Sequence, residues 1–551
     1  MLLQRTDQMD FGEKVYEGLP AAVGLGFALY EECGLGSMID EAAGTHPAGC
    51  VLRPGAAVKA LIGPMLASTK KIAVCRLEDF YRAAPVDKVF GDGVSRSSLN
   101  DRAVGDVLDT LASSDLQDLV WRCAARCRGR YGLASDVYHM DATNFSVYAL
   151  TGTYDPEEVA VPAYGGNSKN GRNDLRQYDA QVVTDGNRTI TYMRAYSGNT
   201  ADTVMNADTI RFLRDRIDCS RSTVIADSKL VTRDLIDALV SEGVGFISKC
   251  PENFSDSVKA LIMNSALTGS MEDSTLGEGY GTYDTEADTV CGRLRFVAYR
   301  APADPERSLR FHREQGDRVL RRVMGPLGRE RFSCVPDTEK AFRSAMRTLE
   351  DHGYDVTAEV VRYDRVLKRG RRGRPRAGDP PPETVTEYGL EISWTFDEER
   401  ARRLSDEGDV RVLVTNLPFD THRRDNLRDG ATSDDVVSAY LDEYKPEHTF
   451  RLLKSGLGMS RVYLHKPSRE RAMMAVLAIA AVMVEVTDAV FRERSPGTTF
   501  HNAAWRLFGA SVRYKRRSDY RYVDGAEGDG AELCRLCGVL ELDPDLMIGR
   551  K

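Results

Sequence analysis

Apolar residues recur at helical spacing through the first 130 positions, in VGLGFALYEECGL, GAAVKALIGPML and VGDVLDTLASSDLQDLVWRCA, which predicts a helical N-terminal domain over 1–130. From Ser135 the pattern changes to short β-rich stretches punctuated by Gly and Asn: DVYHMDATNFSVYAL, YDAQVVTD and TITYMRAYSG. A helical stretch (TADTVMNADTIRFLRDRI), the strand STVIADS, the helix VTRDLIDALVSEG and the strand VGFISKC follow. An opening meander followed by alternating strands and helices implies an α/β fold with a mixed sheet over 131–250. Residues 251–424 break the alternation with RLRFVAYR, DVTAEVVRYDRVL, TVTEYGLEISWTF and DVRVLVTNLPFD, and are expected to form a β-rich insertion. Helices resume over 425–495, and 496–551 reads as a short, less regular tail. The apolar run Ala472–Val484 is 13 residues long, short of the roughly 18 needed to span a bilayer, and predicts a buried helix.

A chain of 551 residues exceeds what one hydrophobic core organises, and 42% hydrophobic with 29% charged residues is a globular balance. The start of the chain, MLLQRTDQMDFGEK, lacks the apolar core of an export signal, so a cytoplasmic protein without a membrane partner is expected. Eleven cysteines lack framework spacing and read as reduced thiols. The pair Cys534 and Cys537 has no second CxxC or HxxxH nearby and reads as ordinary tail cysteines rather than a zinc site. The net charge of −8 argues mildly against a nucleic-acid partner. Charge acts locally, however, over a Debye length of roughly 8 Å. Basic clusters occur at 121–130, 307–332, 368–376 and 513–521.

Three acids stand out by context among the 83 Asp and Glu residues. Asp141 ends the strand-like run DVYHMD and Asp227 ends STVIAD, and strand ends are where open α/β sheets place reactive groups. Glu447 lies on a predicted helix on which Tyr440, Glu443, Glu447, Arg451 and Lys454 recur every three or four residues, although Pro446 weakens it. Hard oxygen donors of this kind suit Mg²⁺. His139, two residues before Asp141, shares its strand face and reads more readily as a packed histidine than as a ligand.

The chain resembles the DDE transposases of bacterial insertion sequences, in the group with a β-strand insertion between the second aspartate and the glutamate. MDATNFSVY with Asp141 and Thr143 is similar to the first-aspartate segment. YGGNSKNGRNDLRQYDAQVVTD (164–185), SGNTADT (197–203), VIADSKLVTRDLIDALVSEGVGFISK around Asp227, and VLVTNL (412–417) resemble further signatures of that group. In the glutamate region Tyr440, Glu447 and Lys454 stand in the family's register, while Glu443 replaces its arginine.

The resemblance implies an RNase H-like catalytic core, matching the order β-β-β-α-β-α-β. It implies Asp141, Asp227 and Glu447 as catalytic metal ligands for two Mg²⁺ or Mn²⁺ ions. The implied reaction is DNA cleavage and strand transfer by a homodimer on double-stranded DNA, both terminal inverted repeats and target. Tyr440, Arg451 and Lys454 are DNA-contact candidates. So are Lys368, Arg369, Arg371, Arg372, Arg374 and Arg376 of the basic loop and Trp394 of the insertion, where an aromatic ring can stack on an extruded base. The alternatives are a silent DNA-binding protein from a decayed or domesticated element, and a nuclease of the same fold without strand transfer.

Overall fold

The computed structural model describes residues 17–44, 51–67, 76–148, 158–163, 174–251, 260, 262–265, 271–302, 304–367, 383–442, 444–457, 461–462, 464–516 and 520–549. The fold is mixed α/β. The chain divides into two compact units, Met1–Phe254 with Asp288–Arg295 and Val414–Lys551, and Ser255–Ala287 with Phe296–Leu413.

The strands in chain order are β1 (Glu17–Pro20), β2 (Val137–Val147), β3 (Gln177–Asp185), β4 (Ile190–Ser197), β5 (Thr223–Ala226), β6 (Gly245–Lys249), β7 (Glu272–Asp273), β8 (Gly281–Thr289), β9 (Gly292–Arg300), β10 (Tyr354–Val366), β11 (Thr384–Phe396), β12 (Val410–Thr415), β13 (Arg461–Val462), β14 (Ser511–Lys515) and β15 (Tyr520–Asp524). In the first unit the main sheet runs β4-β3-β2-β5-β6. β2, β3 and β4 form the antiparallel meander, and β5 and β6 run parallel to β2. β13 also pairs in parallel with β2, through Arg461 to Ser146 and Val462 to Val147.

The helix Pro467–Arg494 carries the run Ala472–Val484, which is apolar all round its circumference and lies in the middle of the first unit's core. Pro467 opens it at a position whose backbone N–H has no intrahelical partner anyway. By length and composition it could cross a membrane, yet its most apolar window is 94% buried within the protein. It packs against the helices Pro54–Leu66, Asp101–Ala112 and Leu116–Arg130 and against β4.

Two stretches differ from the sequence expectation. Residues 496–551 are not an irregular tail. They form the helix Phe500–Arg506, the hairpin β14-β15 and the helix Asp529–Val539, and β14 joins β1 in a three-stranded sheet. Leu533, Leu536 and Met547 belong to the same hydrophobic cluster as Leu25 and Phe27 of the N-terminal helix Ala21–Glu32. Tyr131 Oη donates to Leu540 O at 2.8 Å, and Arg516 pairs with both Asp87 and Glu17. Short elements whose apolar partners lie hundreds of residues away carry little local periodicity, which hid this order.

The second unit, expected to be β-rich, carries the helices Pro305–Leu327, Val335–Arg347 and Glu398–Asp409 beside the ribbon β10-β11. Leu320, Met324 and Leu327 follow helical spacing inside an arginine-rich segment and bury against Leu390 of β11. The dense charge there masked the helix.

The long helix also buries two carboxyl groups. Tyr178 donates a hydrogen bond to Glu470, whose pKa burial pushes up to about 7. Glu485 is pushed up to about 8, again by burial. An unfolded glutamate titrates near ~4.3. The folded protein therefore holds these protons at pH values where the unfolded chain has lost them. This contribution to stability is complete below about pH 4 and is lost as pH rises through the folded values. His448, whose pKa burial lowers, acts in the opposite sense. Comparison with Glu485→Gln isolates one group: the variant's melting temperature should rise relative to wild type between pH 5 and pH 9. A difference independent of pH would show that Glu485 does not titrate in this way.

Candidate active site

Side chains alternate along β2, so His139, Asp141, Thr143 and Phe145 share one face. The parallel register of β2 and β5 ends on Met140 opposite Ala226. The next residue on each strand is an aspartate, and Asp227 keeps an extended backbone (φ −66°, ψ 178°). Asp227 follows the last residue of β5, as expected, but Asp141 does not end its strand: it is the fifth of the 11 residues of β2, which stays paired with β3 as far as Ser146, so Asp141 projects from the middle of the strand beside β5. Asp141 is half-buried and Asp227 exposed. Asp141 Oδ1 accepts from Ala142 N at 2.7 Å, and Asp227 Oδ1 accepts from Lys229 N at 3.0 Å, capping the turn Ser228–Leu230. Each carboxylate is thus fixed by a backbone amide next to it in sequence.

The glutamate segment is not one helix. Ser433–Leu441 ends at Asp442, a second helix spans Tyr444–Arg451, and a π turn occupies Leu452–Gly456. Pro446 explains the break, because it has no amide hydrogen to donate and its ring clashes with a preceding helical carbonyl. A helix can start with proline in its first turn but cannot run through it. Tyr440 and Glu447 accordingly lie on different helices and do not share the continuous face the spacing suggested. Tyr440 is buried in the first; Glu447 and Arg451 are exposed on the second.

The second helix packs on β2 and β3. Just beyond it, Lys454 Nζ donates to Thr143 Oγ1 at 2.6 Å and lies 5.7 Å from the Phe145 ring centroid. This places the Lys454 ammonium on the β2 face that carries Asp141. The neighbouring His448 imidazole is held below its ordinary pKa by burial and by the positive charges of Arg188, Arg451 and Arg492. Arg188 comes from the β3–β4 turn and Arg492 from the end of the long helix, so three separate elements supply a basic rim. Sequence reading missed Arg188 and Arg492 because no local pattern ties them to Glu447.

The structure sets Asp141, within β2, beside the end of β5 that Asp227 follows, and packs the Glu447 helix against the same sheet. Among the described residues no group of three or more His, Cys, Asp or Glu side chains converges closely enough to hold a metal ion. His139 is buried. Glu443, the stretch 164–173 and the basic loop with Lys368, Arg369, Arg371, Arg372, Arg374 and Arg376 lie outside the described residues.

Other sequence signatures have plain physical roles. A Cβ on Gly198 would sit 2.2 Å from Gln177 O, so only glycine fits in the SGNTADT turn. Asn416 of VLVTNL accepts from Phe246 N and donates to Val244 O, both at 2.9 Å, and so fastens the end of β12 to β6. Trp394 pairs opposite Val356 in the ribbon, packs into the second unit's hydrophobic cluster and donates its indole N–H to Asp317 at 3.3 Å. Cys534 is exposed and Cys537 buried on one helix, with the Cys537 thiol pushed up to about 12 by burial.

A cation held by carboxylates from neighbouring strands such as β2 and β5 offsets their like charge. Mg²⁺ at ten times its dissociation constant should therefore raise stability by about 1.4 kcal/mol. Thermal unfolding with and without Mg²⁺ checks this: the shift should appear in wild type and shrink in Asp141→Asn and Asp227→Asn. An equal shift in all three proteins would place the ion elsewhere.

Residues 21–125 match a family model described as a domain of unknown function (DUF4277), a stretch that stops before Asp141. No curated protein matches the chain. What the first of these establishes is that the helical N-terminal segment is similar to that domain family.

Proposed function

We propose that this chain is a DNA transposase of the DDE class, cutting DNA and joining its 3′ ends to a target through Asp141, Asp227 and Glu447. The observation that carries the reading is the β2/β5 register, whose last pair, Met140 and Ala226, stands one residue before each aspartate. The order β4-β3-β2-β5-β6, an antiparallel meander followed by two strands parallel to β2, supports an RNase H-like core.

The donor set fits Mg²⁺ or Mn²⁺ in chemistry, being carboxylate oxygen on neighbouring strands with a third acid on the helix packed against them. Asp141 and Asp227 would hold the ions, with Glu447 completing the set. When bound, such ions activate a water or 3′-hydroxyl and stabilise the leaving oxygen. Lys454, anchored on Thr143, presents its ammonium to phosphate on the face that carries Asp141. Arg451, with Arg188 and Arg492, supplies the positive rim that the family's arginine provides where this chain has Glu443. The partners of this reading are double-stranded terminal inverted repeats and target DNA, held by a homodimer in the cytoplasm. The loop 368–376 grips phosphate without reading sequence.

The exposure of Glu447 and the lack of a three-acid cluster among the described residues favour a second reading, a DNA-binding protein without catalysis.

Radiolabelled DNA carrying the sequences that flank the gene, incubated with protein and Mg²⁺, separates the readings. The proposal expects end cleavage and strand-transfer products, both abolished by Asp141→Asn, Asp227→Asn or Glu447→Gln while end binding persists. Binding without cleavage favours the silent protein, and hydrolysis without joining favours a nuclease. Wild-type cleavage by any of the three variants overturns the assignment.

A further inference from the structure

The helix that carries Glu447 is only eight residues long and is bounded by a break and a π turn, so its orientation depends on what it is fastened to. Glu447 and Thr449 are two residues apart, about 200° around a helix. Thr449 is accordingly fully buried and Glu447 exposed. Thr449 Oγ1 donates to Glu485 Oε1 at 2.6 Å. The other oxygen of Glu485, Oε2, accepts from the backbone N–H of Ile190, the first residue of β4, at 2.9 Å. One carboxyl group, 3% exposed and set in the longest helix of the core, therefore joins three elements: the Glu447 helix, the catalytic sheet and the core helix.

We propose that Glu485 is a positioning residue that fixes the rotation and height of the Glu447 helix over the strand bearing Asp141. The inference rests on the transposase reading for its consequence, though not for its geometry. With Thr449 tethered inward, Glu447 is turned outward, and the Lys454–Thr143 bond fastens the far end of the same segment. Polar attachments at Thr449 and, five residues on, at Lys454 in the π turn limit the freedom of this short helix to roll. A leucine or valine at position 485, between Val484 and Val486, would fill the space as well. A carboxyl group kept there against the cost of burying it indicates that its two bonds matter.

Because Glu485 is held protonated, its bond to Thr449 joins neutral groups, and its loss corresponds to roughly two- to tenfold in an equilibrium constant. Thr449→Val removes the hydroxyl but keeps the shape. It should raise the Mg²⁺ concentration for half-maximal cleavage roughly two- to tenfold, with end affinity close to wild type and the melting temperature lowered only slightly. Glu485→Gln is the rescue control: its amide oxygen can accept from Ile190 and its NH₂ can donate to the Thr449 hydroxyl, so cleavage should be retained. Glu485→Ala should behave like Thr449→Val.

Hydrogen exchange of residues 444–457 provides a readout independent of activity. Exchange there should quicken in Thr449→Val and stay slow in Glu485→Gln. Equal exchange in wild type and Thr449→Val, or an unchanged Mg²⁺ requirement in the folded variant, overturns the positioning role. A wild-type protein that cleaves no DNA, while exchange still quickens in Thr449→Val, overturns the transposase reading alone.

Discussion

Burial of the helix Pro467–Arg494 is the constraint on which the first unit depends. A helix apolar on every side must be covered on every side. The chain meets that demand with the N-terminal helices, strand β4 and the elements after Ser495, which share one hydrophobic cluster. Regions at opposite ends of the sequence thus become one core, and removing any of them would leave part of this helix in water.

The same helix links stability to the candidate chemistry. Its apolar surface sets the core, while Glu485 reaches out of that core to the Glu447 helix and to β4. The aspartates are fixed differently, by strand register and by backbone amides beside them. Two acids are therefore held by the sheet itself, and the third by a short helix whose placement rests on a few polar bonds. That difference accounts for the pair of adjacent aspartates and the exposed Glu447.

Much of this was legible in the sequence, and what was not has physical causes. The apolar runs in DVYHMD and STVIAD read as strands, and the structure has strands at both, but β2 continues to Val147, so the first aspartate lies within its strand rather than at its end. The apolar run Ala472–Val484 does lie within a buried helix. The continuous helix through Tyr440 and Glu447 failed at Pro446, where periodicity outweighed a residue that interrupts backbone bonding. The C-terminal order failed because Leu533 and Met547 find their partners near Leu25, far beyond any window of local pattern. Arg188, Arg492 and Glu485 were invisible for the same reason, since nothing near them in sequence refers to Glu447. The helices of the second unit were hidden by arginines that cover their exposed faces.

The central claim is that Asp141, Asp227 and Glu447 serve one metal site when DNA is bound. Iron-mediated backbone cleavage tests it directly: Fe²⁺ takes the place of Mg²⁺, and peroxide with ascorbate cuts the polypeptide next to the bound ion. With end DNA present, fragments should map to the neighbourhoods of residues 141, 227 and 447 together, and excess Mg²⁺ should suppress all three. Cuts near 141 and 227 without one near 447, or cuts at none of them, would contradict the account.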